Sequence, residues 1–313
     1  MKKLVIATRG SKLALWQSNH IKAELEKLDS SLDIELKVIV TKGDKILDTP
    51  LALVGGKGLF TKEIDEVMLR GEAQIAVHSM KDVPTDLPEG LQLSAITTRQ
   101  DVRDAILSEK YEGIDALPKG AVVGTTSLRR RMNLLAHRPD LTIVDLRGNV
   151  DTRIRKLKEG EFDAIILAAA GINRLGLEDS VNYIVPIDLM FSIPAMGQGA
   201  LAIQTVTDPD IVALVSQLND RDSMVETTIE RSFVGKLEGG CQVPIGVSAT
   251  VLDNDDILIK TVLGLPTGRD LMRQTKVAKM EEYETVGASM AQELIEQGAK
   301  ELLARASEIA YKD

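Results

Sequence analysis

One cysteine, Cys241, is the only thiol in the 313-residue chain. A single thiol excludes an internal disulfide and a cysteine-based zinc cluster, and it fits a reducing compartment. Histidine is scarce as well. His20, His78 and His137 show no metal-ligand spacing, so no metal is expected. No apolar run is long enough to span a bilayer; the longest, near 165–170, reads as a buried strand and its turn. The N-terminal apolar stretch is too short for the core of an export signal. A formal net charge of −9 argues against generic nucleic-acid binding, which depends on counterion release by a basic surface. Nucleotide loops are missing too: nothing reads Gly-x-x-x-x-Gly-Lys-Ser/Thr, and no Gly-x-Gly-x-x-Gly follows a strand. Neither an internal repeat nor a low-complexity segment is present. The expectation is a soluble cytoplasmic protein with no nucleic-acid and no membrane partner.

What is there alternates between strand and helix. Leu4–Thr8 reads as a buried strand and Lys12–Leu28 as an amphipathic helix, followed by strand Ile34–Val40. The glycine-rich connection from Thr41 to Gly58 is long for a compact domain and suggests a mobile lid. Helix Leu59–Arg70, strand Gln74–Val77 and strand Leu91–Thr97 come next, then a polar crossing segment, Arg99–Arg103. A second unit follows, with strands at 121–124, 142–146, 163–168 and 201–204 and helices at 128–137 and 150–158. Strands separated by helices imply parallel sheets covered on both faces. From about Asp222 the pattern changes to strands 247–251, 257–263 and 272–277, then a helix marked by Val286, Met290, Leu294 and Ile295. That is a small α+β domain.

Local charge departs from the acidic whole. Between Ala121 and Arg174 stand ten basic and six acidic residues, and eight of the ten are arginine. Arginine suits forked recognition of carboxylate or phosphate. Four strand-to-helix turns (Arg9/Ser11, Lys57, Thr125–Arg130 and Arg147/Asn149) present helix N-termini that can hold anions. Ordinary capping by Ser11, Thr126 or Asn149 accounts for any one of them. Four together suit several separated carboxylates better than one polyphosphate. Asp82 ends the strand at 74–77, where open α/β sheets place ligands, although a lone aspartate before Val83-Pro84 is also a turn former. Among anion-binding arginines, it is the group that would stabilise a cation. Cys241 follows Gly239-Gly240 on a turn before a strand. By type a lone cysteine is a small buried hydrophobe, while the double glycine points to access; the residues leave these readings level.

Seven stretches in order then carry a family resemblance. They are 7–15 (Ala-Thr-Arg-Gly-Ser-Lys-Leu-Ala-Leu), Gly56–Phe60, His78–Pro84, Gly124–Arg130, Leu146–Arg153, Gln198–Leu201 and Glu238–Pro244. The chain closely resembles the porphobilinogen deaminases, also called hydroxymethylbilane synthases, from end to end. The resemblance implies two α/β lobes like those of type II periplasmic binding proteins, with the chain crossing between them twice. Domain 1 would span 1–98 with 198–217, domain 2 103–193, and the α+β domain 222–313 with the cofactor cysteine.

The resemblance also implies a transferase that joins four porphobilinogen units head to tail, losing ammonia, into a linear tetrapyrrole. Its dipyrromethane cofactor would be held by a thioether to Cys241. Asp82 would be the catalytic carboxylate. Ser11, Lys81, Thr125, Ser127, Arg129, Arg130 and Gly148 would bind the cofactor. Arg9, Lys57, Arg147, Arg153 and Arg174 would bind substrate carboxylates, with no metal and a monomeric chain. Two other classes compete. A periplasmic-type binding module would share the lobes but would have no need of a cysteine domain. A cysteine hydrolase would need a histidine base near Cys241.

Overall fold

The computed structural model describes residues 2–45, 58–238 and 243–310. Lys57, Cys241, the Gly239-Gly240 pair and most of the connection expected to be a lid lie outside them.

One compact unit takes in described residues 2–45, 58–100 and 199–224. Its chain runs β1 (Lys2–Arg9), α1 (Lys12–Leu28), β2 (Leu32–Ile39), α2 (Lys42–Lys45), α3 (Lys62–Leu69), β3 (Ile75–Ser79) and β4 (Leu91–Ile96). Ser11 starts α1 by accepting a hydrogen bond from the Ala14 N–H, and the helix then buries Ile21 and Leu25 completely. Each such side chain contributes about 1.5–3 kcal/mol. Strand β10 (Leu201–Val206) enters this sheet antiparallel to β3 and β4, giving the order β2-β1-β3-β10-β4. At the crossing, the Gln100 N–H donates to the Gly199 carbonyl. Gly199 has φ +94°, and a Cβ there would stand 2.5 Å from the Gln100 oxygen, so only glycine fits.

The other unit takes in described residues 101–198, 225–238 and 243–310. It contains β5 (Asp104–Ser108), β6 (Val122–Gly124), α4 (Leu128–His137), β7 (Thr142–Val144), α5 (Val150–Lys158), β8 (Ala164–Ala168), α6 (Ala169–Arg174) and β9 (Tyr183–Pro186). The sheet order is β7-β6-β8-β5-β9, with β5 antiparallel to both neighbours. Both sheets therefore read second, first, third, crossing strand, fourth. This is mixed α/β architecture, with the topology expected of two type II binding lobes. The reading of wholly parallel sheets is corrected by the two antiparallel crossing strands.

After α7 (Pro209–Val215), helix α8 (Arg221–Lys236) leads into the small antiparallel sheet β11 (Ile245–Val251), β12 (Ile257–Leu263) and β13 (Met272–Ala278). Helices α9 (Val286–Glu296) and α10 (Ala299–Ala310) follow. Glu230 of α8 is fully buried and accepts from the Gly197 N–H at 2.6 Å and the Ala249 N–H at 2.9 Å. It thereby ties the small sheet to the segment that follows β9.

Several elements escape the apolar pattern for identifiable reasons. Strand β5 opens on Asp104 directly after the polar crossing Arg99–Arg103, and the sequence pattern assigned it no element. The buried stripe of α8 is interrupted by Ser223, Thr227 and Glu230. The Ala169-Ala170 pair begins a helix, not a turn. Ser127, not Thr126, caps α4 by accepting from the Arg130 N–H, and Asn149 makes no side-chain cap.

Candidate active site

The first unit carries a pocket at the carboxyl ends of β1 and β3. Its wall includes Arg9, Ser11, Phe60, His78, Ser79 and Asp82. A 3-10 turn, Met80–Asp82, follows β3. Met80 and Val83 are each 1% exposed in one apolar cluster, so the half-buried Asp82 between them is held in place. Among the described residues no hydrogen bond reaches the Asp82 carboxylate. Lys81 shares the turn and is half-buried.

Arg9 ends β1. Its Nε and Nη2 fork onto Asp44 of α2, the Nε bond being 3.1 Å, and its guanidinium lies 4.2 Å from the centre of the Phe60 ring. Burial alone would raise the Asp44 pKa; the bonds from Arg9 and Thr41 outweigh it and hold the carboxyl below its ordinary range. Asp44 takes the Nε/Nη2 edge of Arg9, which leaves Nη1 for a second carboxylate.

His78 is 6% exposed, and burial pushes its pKa down to about 4, so the ring is neutral at physiological pH. Its Nε2 lies 2.9 Å from Gln204 Oε1.

In the other unit the predicted arginines converge on a residue that the sequence reading overlooked. Asp104 is 0% exposed at the head of β5. Arg129 Nη1 donates to its Oδ2 at 2.7 Å, and Arg130 donates to Oδ1 through Nε at 2.9 Å and Nη2 at 2.8 Å. Ser192 Oγ and Gln198 Nε2 donate as well. Arg129 also reaches the Ile193 carbonyl, and Arg130 the Ile166 carbonyl. Each arginine thus directs three of its five N–H donors inward and keeps two. Burial would raise the Asp104 pKa; the charges of Arg129 and Arg130 prevail and hold it well below the carboxylate range. The one signal in the sequence was an acid heading an apolar run.

Thr125 Oγ1 accepts from the Ser127 N–H, shaping the turn that delivers both arginines. At the next strand-to-helix turn, Arg153 Nε donates to the Gly148 carbonyl at 2.7 Å. Gly148 has φ +116°, and a Cβ there would meet Thr152 at 2.8 Å. Burial, then the charges of Arg130 and Arg147, push Arg153 down to about 10, still cationic at neutral pH. Arg147 is half-buried. Arg174, in the last turn of α6, is buried and lowered to about 10 for that reason alone. Arg130, Arg147 and Arg153 therefore form one cationic neighbourhood. Among the described residues no group of three or more His, Cys, Asp or Glu is placed to hold a metal ion.

Residues 4–213 match the family model "Porphobilinogen deaminase, dipyromethane cofactor binding domain", and 224–296 match "Porphobilinogen deaminase, C-terminal domain". The porphobilinogen deaminase of Sulfurimonas denitrificans is 65% identical over 306 residues, covering 98% of each chain. The chain belongs to the porphobilinogen deaminase family. Two further members are equally complete matches in length. That of Nitratiruptor sp. is 61% identical over 99% of each chain, and that of Aliarcobacter butzleri 55% identical over 100% of each. Among solved structures, a TRAP periplasmic solute binding protein from Desulfovibrio salexigens aligns with TM-score 0.42 and 14% identity, over 69% of this chain and 72% of that one. Membership of the porphobilinogen deaminases makes this chain a transferase of tetrapyrrole biosynthesis. No helix of the described residues is long and apolar enough to cross a membrane.

Proposed function

We propose that this chain condenses four porphobilinogen molecules head to tail into hydroxymethylbilane, releasing one ammonia per molecule. The observation that carries the reading is a single pocket pairing Arg9, an anion fork, with Asp82, a carboxylate that accepts no hydrogen bond from any described residue. Porphobilinogen carries two carboxylates and, at its reacting end, an aminomethyl pyrrole. Arg9 binds a substrate carboxylate, Ser11 and Lys81 bind those of the cofactor, and Asp82 opposes the positive charge that develops as ammonia leaves. A fixed negative charge in a site short of water is worth a few kcal/mol to such a transition state.

The chain fits a dipyrromethane cofactor. Arg130, Arg147 and Arg153 form a cationic neighbourhood in which Asp104 is the fully buried carboxylate, and Arg129 and Arg130 keep donors in reserve. A group bearing several carboxylates suits that surplus. Cys241 holds it by a thioether, with Thr125, Ser127, Arg129, Arg130 and Gly148 around it. When bound, it supplies the pyrrole carbon to which the chain is joined. Arg147, Arg153, Arg174 and Lys57 receive further carboxylates. Residues 1–98 with 198–217, 103–193 and 222–313 are the three domains, and the enzyme works as a cytoplasmic monomer.

The test is stoichiometry. Purified protein given porphobilinogen should release one ammonia per molecule consumed and yield one linear tetrapyrrole per four. Binding without ammonia release would make it a ligand-binding module instead.

A further inference from the structure

We propose that His78 is a fixed neutral acceptor for a substrate N–H, and that Gln204 and Asp65 are positioning residues that set its tautomer. The inference takes the identity of the donor from the porphobilinogen reading; the tautomer stands without it.

The arrangement follows from strand pairing. On β10, Ala202 lies opposite His78, and Gln204 stands two residues further along, on the same face. The register of β10 against β4 shifts between Ile203 and Gln204, where the local ladder is irregular. Gln204 is 0% exposed. Its Nε2 donates to Asp65 Oδ1 of α3 at 2.8 Å, while its Oε1 faces His78 Nε2 at 2.9 Å. An amide between two partners has only two orientations. Burial raises the Asp65 pKa and the Gln204 bond opposes that rise, but the tautomer rests on the orientation itself: the Gln204 NH2 is turned toward Asp65 Oδ1, which accepts whether or not the other oxygen carries a proton. The amide oxygen then faces the ring, and a hydrogen bond forms only if Nε2 of His78 carries the proton. Nδ1 is left with a lone pair.

That lone pair has no hydrogen-bond partner among the described residues, although the ring is nearly buried. Nδ1 is not one of the fully buried atoms that lack a partner; the ring is part of the pocket wall beside Ser79 and Asp82, where a bound molecule can reach it. A substrate carboxylate cannot serve it, having no proton to give. The pyrrole N–H or the departing ammonium of porphobilinogen can. His78 and Asp82 thereby make one wall that accepts N–H, and Arg9 makes another that donates to carboxylate. The substrate is oriented by this division.

The charged groups acting on His78 are Asp82, which favours protonation, and Arg9, which opposes it; Asp65 acts through Gln204. Burial outweighs them, keeping the ring neutral at working pH.

The experiment uses the full-length holoenzyme with 15N-labelled histidine, of which there are three residues to assign. His78 should show the Nε2–H tautomer and stay neutral across about pH 6–8. An Nδ1–H tautomer or a charged ring there would overturn the assignment. The tautomer is read without any turnover, so it stays distinguishable from a failure of the porphobilinogen reading, which would appear as wild-type protein releasing no ammonia. His78→Phe removes the acceptor and should lower kcat about tenfold or more, with cofactor loading by mass unchanged. His78→Asn restores an acceptor close to the Nδ1 position and should recover part of that loss. Equal turnover in wild type and His78→Phe, or equal loss in both variants, would refute the acceptor role.

Discussion

Asp104→Asn should melt about 10 °C below the wild type, because it strips the shared carboxylate from two buried arginines. Breaking a buried ion pair from one side costs about 3–5 kcal/mol, since the cations left behind are neither hydrated nor matched. Asparagine keeps the shape and one acceptor but none of the charge. The effect should be greater than for removal of an exposed pair such as Arg155–Glu159, worth about 0.3–0.5 kcal/mol. The same residue sets an acid limit. The pKa of Asp104 is depressed in the folded state, so its contribution is complete above the unfolded value near 3.8 and is lost as pH falls below it. Scanning calorimetry of both proteins at neutral pH checks the claim; coincident transitions would contradict it.

Asp82→Asn should leave the fold intact and reduce turnover by about a hundredfold or more. The side chain is half-buried, keeps its size, and is anchored by Met80 and Val83 rather than by its own carboxylate. What it loses is the negative charge opposite a developing cation. Porphobilinogen should still bind, because Arg9 and its neighbours are untouched, so kcat should fall far more than KM rises. Ammonia release under saturating substrate separates the two quantities. Turnover near the wild-type value would reduce Asp82 to a former of the turn before Pro84.

The legible parts of the molecule were those governed by local rules. Helices α1, α4 and α5 end where periodicity and flanking turns place them, at Lys12–Leu28, Leu128–His137 and Val150–Lys158. Strand β12 occupies the alternating run Ile257–Leu263. Arg9, Ser11 and Asp82 do share one pocket, since all three stand at carboxyl ends of strands in one sheet. The hidden parts are pairings across the chain. Asp104 meets arginines 25 and 26 residues away, and Gln204 joins His78 and Asp65 from distances of 126 and 139 residues. No periodicity reports such contacts. The antiparallel setting of β5 and β10 was equally hidden, because a strand's direction is decided by where the chain crosses. That Arg129 and Arg130 are partly engaged within the protein was hidden for the same reason: their carboxylate lies on a strand to which the sequence pattern assigned no element.

The central claim is that this family member holds its cofactor through Cys241, and intact mass tests it most directly. Protein purified from cells that make porphobilinogen should weigh more than its sequence by one dipyrromethane, and the excess should be absent from Cys241→Ser. An unmodified wild-type mass, or the same excess in Cys241→Ser, would contradict the account.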